Sequence, residues 1–139
     1  EPLVVFGKVK NLSNLDMSSD DSVHGILNLK NKILINMSFE LYETLPEISL
    51  KLVGSNGSLK WDRVENKISI YNKKNKKLKV LKFDLKNCMS MYPKQAKYFI
   101  ELLNRKKKNN MNNISYALNT QKTIDAFFKS SNLNKLIHV

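Results

Sequence analysis

The stretch Gly54-Ser55-Asn56-Gly57-Ser58-Leu59-Lys60-Trp61-Asp62 decides the fold. Two glycines enclosing Ser-Asn supply a chain reversal, because these residues accept the backbone angles a tight turn needs. On one side Ile48, Leu50 and Leu52 alternate with Ser49 and Lys51; on the other, Leu59 and Trp61 alternate with Ser58 and Lys60. That period of two reads as a pair of strands. A joint this short forces them antiparallel, since a parallel crossover needs about a dozen residues.

Working outward, the same grammar repeats. Glu65-Asn66 leads into Ile68 and Ile70, and Asn72 to Lys77 leads into a strand from Leu78 to Asp84. A phase slip between Val80 and Leu81 predicts a bulge there. Upstream, Ile33, Ile35, Met37 and Phe39 alternate with Leu34, Asn36, Ser38 and Glu40, after a turn at Lys30-Asn31. Leu3 to Lys10 and Val23 to Leu29 read as earlier strands, apolar on both sides as central strands are. Asn11 to Asp21 is a long polar loop, expected to order only against a partner surface.

After Asn87 the period becomes helical. Ala96, Phe99, Ile100 and Leu103 form one stripe of a helix from about Pro93 to Lys107, with Arg105 to Lys108 at its negative end. Beyond a polar linker at Asn109 to Asn113, a second helix is predicted over Ser115 to Ser130. Its expected buried side is Ala117, Ile124, Phe127 and Phe128. Leu136 to Val139 reads as a closing strand. The plan is α+β: one domain over residues 1–139, with an open, mainly antiparallel sheet of about six or seven strands and two helices on one face. Two helices cannot cover both faces of such a sheet. The free face is expected to meet another subunit or domain.

Composition narrows the function classes. The chain has 139 residues, with 24 Lys+Arg against 12 Asp+Glu and a net charge of +12. Residues 1–62 hold six cations and eight acids, residues 63–139 eighteen and four. Yet 22 of the cations are lysine, with only Arg63 and Arg105 beside them, and 18 asparagines accompany them. Arginine, the bidentate reader of phosphate and guanine, is almost missing. The runs Lys73-Lys74-Asn75-Lys76-Lys77 and Arg105 to Lys108 fall at a hairpin tip and a helix end, where lysine is cheap, and only Tyr71 flanks them for stacking. Nucleic acid is therefore not expected as the partner. A stand-alone basic module for nucleic acid or another acidic polymer is the alternative reading.

Catalytic motifs are scarce. The only glycines are Gly7, Gly25, Gly54 and Gly57, so neither phosphate-cradling glycine pattern fits. His24, His138 and Cys88 have no metal-ligand spacing, and no nucleophile elbow is present. His24 and His138 read as structural or solvent-facing, Trp61 as core, and Asp20-Asp21 as turn chemistry. Glu40, Glu43 and Glu47 cluster around Tyr42 and Pro46 as a polar sheet end. One cysteine suits a reducing compartment, and a cytoplasmic location is expected. No apolar run reaches the ~18 residues of a membrane span. The chain opens at Glu1 without methionine, which reads as a processed start or a portion of a longer protein.

The hairpin at residues 54–62 resembles the "G-x-x-G-t-l-x-w-d" hairpin of the glucose–fructose oxidoreductase / inositol dehydrogenase / MocA oxidoreductases, followed by a strand like Lys67 to Tyr71. Met91-Tyr92 with Phe99-Ile100 resembles that family's next helix. Ser115, Ala117-Leu118, Ile124-Asp125-Ala126 and Ser130 are similar to its closing helix. The resemblance implies the C-terminal domain of a two-domain enzyme whose N-terminal Rossmann domain binds NAD or NADP. It also implies a sugar, inositol or related polyol as substrate, and a homo-oligomer formed through the open sheet face. The family's glycine fingerprint, its lysine and its catalytic helix have no counterpart here, so no catalytic, cofactor-binding or metal residue carries over. The chain alone is expected to be inactive, with no cofactor of its own. Glu40 and Tyr42 align near the family's substrate cleft and are the candidate substrate contacts. A scaffold descended from such an enzyme is a third reading.

Overall fold

A computed structural model describes residues 2–83, 90–104 and 113–139. The predicted features at Asp84, Cys88, Arg105 to Lys108 and most of the 109–113 linker lie outside them. The α+β plan holds, with eight strands and two helices among the described residues. The strands sort into two four-stranded sheets rather than one, because β3 (Leu34–Glu40) and β4 (Ser49–Gly54) do not pair with each other. The chain divides accordingly into two compact units, residues 1–43 with 110–139 and residues 44–109.

The first unit holds the core. Its sheet has the order β3-β2-β1-β8, with β1 at Pro2–Lys10, β2 at Ser22–Leu29 and β8 at Ile137–His138. All pairs are antiparallel. Helix α2 (Ile114–Leu133) packs on β1, and Val5, Val9, Leu27, Ala126 and Phe127 form the buried cluster. Gly7 and Gly25 stand directly opposite each other in the β1–β2 register. A Cβ on Gly7 would come within 2.5 Å of the Phe127 ring, and one on Gly25 would strike the same ring. The paired glycines form a notch in the sheet, and Phe127 fills it.

The buried side of α2 departs from the expected one. It consists of Ala126, Phe127, Ser130 and Ser131, while Ala117, Ile124 and Phe128 are exposed. The serines complete a strand edge. β8 pairs with β1 only at Val4 and Val5. Farther along that edge, Gly7 N–H donates to Ser130 Oγ at 3.0 Å, and Ser130 hands its own proton to the Lys135 carbonyl. Val9 N–H donates to Ser131 Oγ at 3.0 Å, and Ser131 donates back to the Val9 carbonyl at 3.1 Å. Two hydroxyls thus do what a neighbouring strand would do for groups that are expensive to bury unpaired.

The 11–21 loop, expected to order against a partner surface, is tied by bonds of its own. Asn11 Nδ2 donates to the Met17 and Ser19 carbonyls. Asp21, 2% exposed, accepts from Leu12 N at 2.8 Å, from Ser13 N at 2.9 Å and from the Ser13 hydroxyl. The Ser13 hydroxyl, aided by the two backbone N–H groups, outweighs burial and holds the Asp21 carboxyl below the usual carboxylate range. This is the turn chemistry the sequence suggests for Asp20-Asp21. Ionised Asp21 stabilises the fold above the unfolded-state value near pH ~4, and the contribution disappears as pH falls through the lower folded value. Asp21→Asn is expected to lower Tm near neutral pH, with its Tm converging on that of the parent in acid. A constant gap across the pH range, read by thermal melts followed by circular dichroism, would contradict this.

The second unit is the meander β4-β5-β6-β7, with β5 at Gly57–Asp62, β6 at Lys67–Asn72 and β7 at Lys77–Lys82. Gly54 and Gly57 pair across a Ser55-Asn56 turn. Gly57 has φ +150, and a Cβ there would collide with the Tyr71 carbonyl oxygen. The expected bulge at Val80/Leu81 is not found: β6 and β7 pair in unbroken register from Lys67↔Lys82 to Asn72↔Lys77. The slip instead records a β7 strand with apolar residues on both faces. Asn72 Oδ1 caps the basic tip, accepting from Lys74 N at 2.9 Å, and Lys76 takes φ 54 to close it. Helix α1 (Met91–Leu103) keeps its predicted stripe but buries none of its residues.

Candidate functional site

Strand alternation puts Val5, Gly7, Val9 and Leu27 on the helix side of the first sheet. Phe6, Lys8, His24, Ile26, Leu34, Asn36, Ser38 and Glu40 fall on the other face. Cross-strand register brings three of these together. His24 stands opposite Ser38, and Ser22 opposite Glu40. Ser38 Oγ donates to Glu40 Oε1 at 2.7 Å, His24 Nε2 lies 3.0 Å from the same oxygen, and His24 Nδ1 is 3.3 Å from Ser38 Oγ. The His24 side chain is 49% exposed and that of Glu40 24%.

The bond directions define what this trio can do. A nucleophilic serine passes its proton to an imidazole that a carboxylate orients. Here Ser38 gives its proton directly to the carboxylate, and His24 leans on the same oxygen. The arrangement orients Glu40 as a hydrogen-bond acceptor at the sheet surface; it does not activate Ser38. Ser22, fully buried beside Glu40 in the register, has no hydrogen-bond partner for its Oγ among the described residues. Tyr42, the second sequence candidate, lies two residues beyond Glu40, is 37% exposed, and takes no part in these bonds. Among the described residues, no group of three or more His, Cys, Asp or Glu side chains could hold a metal.

The trio escapes a sequence reading because of one residue in a turn. A two-residue turn at Lys30-Asn31 would place His24 opposite Met37 and separate it from Ser38. The loop has three residues instead: Lys32 adopts φ 57, and Leu29 N–H bonds to the Ile33 carbonyl. That single step moves every side chain of β3 to the other face relative to β2.

Nor do the glycines offer a dinucleotide cradle. Gly7 and Gly25 back onto Phe127 and Gly57 onto the Tyr71 backbone, and none opens a described helix. Among the described residues, the glycines form no cradle for a nicotinamide nucleotide.

Residues 4–139 match the family described as "Oxidoreductase family, C-terminal alpha/beta domain". Among solved structures, a proposed oxidoreductase from Thermotoga maritima superposes with TM-score 0.75 at 12% identity, over 100% of this chain and 41% of that one. The super-repressor mutant of Gal80p from Saccharomyces cerevisiae gives TM-score 0.71 at 14% identity, over 99% of this chain and 44% of that one. At such identities the likeness is one of fold. The chain spans less than half the length of either protein. No curated protein matches it in sequence. No described helix is long and apolar enough to cross a membrane.

Proposed function

We propose that this chain, which belongs to the glucose–fructose oxidoreductase / inositol dehydrogenase / MocA family as its C-terminal domain, closes the substrate pocket and carries the subunit contacts of an NAD(P)-dependent enzyme. The substrate is a sugar, an inositol or a related polyol. The observation that carries the reading is the family match over nearly the whole chain, joined to a sheet face whose apolar residues are not buried. In the second sheet Leu50, Trp61, Ile68 and Leu81 form one cross-strand row and Leu52, Leu59 and Ile70 the next. None of these seven is buried, including Trp61, which the sequence suggested as core. In a homo-oligomer of cytoplasmic protomers, that face is the natural contact.

The nicotinamide nucleotide belongs to an N-terminal Rossmann domain of the full-length protein and supplies the hydride acceptor or donor there. This chain contributes binding and orientation. Glu40, fixed by Ser38 and His24, accepts hydrogen bonds from substrate hydroxyls, and the Tyr42 ring borders them. The experiment is a hydride-transfer assay of the full-length product against a panel of sugars and polyols with either nucleotide. Activity with at least one polyol is expected, with Glu40→Gln raising KM about tenfold and changing kcat less, the signature of lost uniform binding. A reading frame without a nucleotide-binding domain, or a full-length protein inert to every polyol, would refute the proposal.

A further inference from the structure

The second sheet has another face, and its chemistry differs. Strand alternation places Lys51 (β4), Lys60 (β5), Lys67 (β6) and Lys82 (β7) together on the side opposite the apolar rows. Lys51 stands directly across from Lys60 and Lys67 directly across from Lys82; Lys60 and Lys67 are diagonal neighbours. Like charges in directly opposed positions destabilise a sheet, whereas alternating signs would support it. Among the described residues, carboxylates relieve only the inner two: Asp62 lies 3.2 Å from Lys60, and Glu65 pairs with Lys67. Lys51 and Lys82 have no carboxylate partner among the described residues.

The same face continues along the β6–β7 hairpin. Ser69 follows Lys67, then comes Tyr71, 40% exposed, with Lys73, Lys74 and Lys76 at the tip. Cations at both ends of a strand-length track, with an exposed aromatic between them, match the two needs of a single nucleic-acid strand: phosphate neutralisation and a stacking platform. A sequence reading sees the tip lysines as a solvated run, because the quartet comes from four separate strands and only the register assembles it.

We propose that the Lys51/Lys60/Lys67/Lys82 face, with Tyr71, binds single-stranded nucleic acid. The face lies opposite the apolar rows, so occupancy of one does not require the other. The test is fluorescence anisotropy of the full chain with oligothymidylate of about 12 nucleotides. Four phosphate contacts predict a log–log salt slope of about −3, or roughly 50-fold weaker binding from about 50 to about 200 mM salt. Lys51→Glu with Lys82→Glu is expected to halve the slope, while Lys94→Glu with Lys97→Glu on α1 leaves it unchanged. Tyr71→Ala is expected to weaken binding about tenfold at an unchanged slope, and Tyr71→Phe to restore it. Absence of binding at the lower salt, or equal loss from the α1 variant, overturns the proposal. So does heparin binding as tightly as the oligonucleotide with Tyr71→Ala affecting neither.

Discussion

Gly25→Val is expected to cost the first unit about 3 kcal/mol, because the new side chain must occupy space that the Phe127 ring already fills. Against a domain stability of about 5–15 kcal/mol, that is a large share. Two contributions combine in the penalty. One is the ring, which can be removed; the other is backbone, since a Cβ on Gly25 also lies 2.8 Å from the Phe6 carbonyl oxygen. A double-mutant cycle separates them. Phe127→Ala alone should cost about 4 kcal/mol, because it empties a notch that nothing else can enter. In that background Gly25→Ala should cost about 1–2 kcal/mol less than it does in the parent. The remainder measures the crowding against Phe6. Hydrogen exchange resolved to the amides of β1 and β2 reads the effect where it arises. Strict additivity of the two substitutions would mean that the ring does not fill the glycine notch.

The same pair of glycines marks the limit of what the sequence conveys. Hairpin chemistry is local: Gly54 to Gly57 and Glu65-Asn66 identify their turns from four and two residues, and the meander follows. The change of period after Asn87 identifies both helices, with α2 extending a few residues past its predicted end to Leu133. The helix face is less legible. Hydrophobicity points to Ile124 and Phe128, but packing uses Ser130 and Ser131, because the short β8 leaves the Gly7 and Val9 amides needing partners. A serine on a helix carries no sign of that need. Register is less legible still. Lys32 at positive φ lengthens one turn by one residue and thereby decides that Glu40 meets His24 and Ser38. Glu40 as a candidate site residue comes from resemblance; its two neighbours come only from the pairing.

Lysine introduced into the apolar rows of the second sheet is expected to dissociate the proposed homo-oligomer. Leu59 and Ile70 are directly paired on the two central strands, with Leu52 beyond Leu59 on β4 and Lys79 beyond Ile70 on β7. A contact between copies built on this face buries both side chains at its middle, where each is worth about 1.5–3 kcal/mol. In a two-fold arrangement every substitution occurs twice, so Leu59→Lys with Ile70→Lys removes about 6 kcal/mol or more and adds four charges to be desolvated. The dissociation constant should then rise at least a thousandfold. Sedimentation of the parent chain should give a dimer or larger, and the double variant the 16.1 kDa monomer at the same concentration. Because both residues are already partly open to solvent in the isolated chain, the variant should keep its far-ultraviolet circular dichroism, which distinguishes lost assembly from lost folding. Lys51→Ser, on the opposite face, should sediment with the parent. A parent chain that remains monomeric at high concentration would remove the interface.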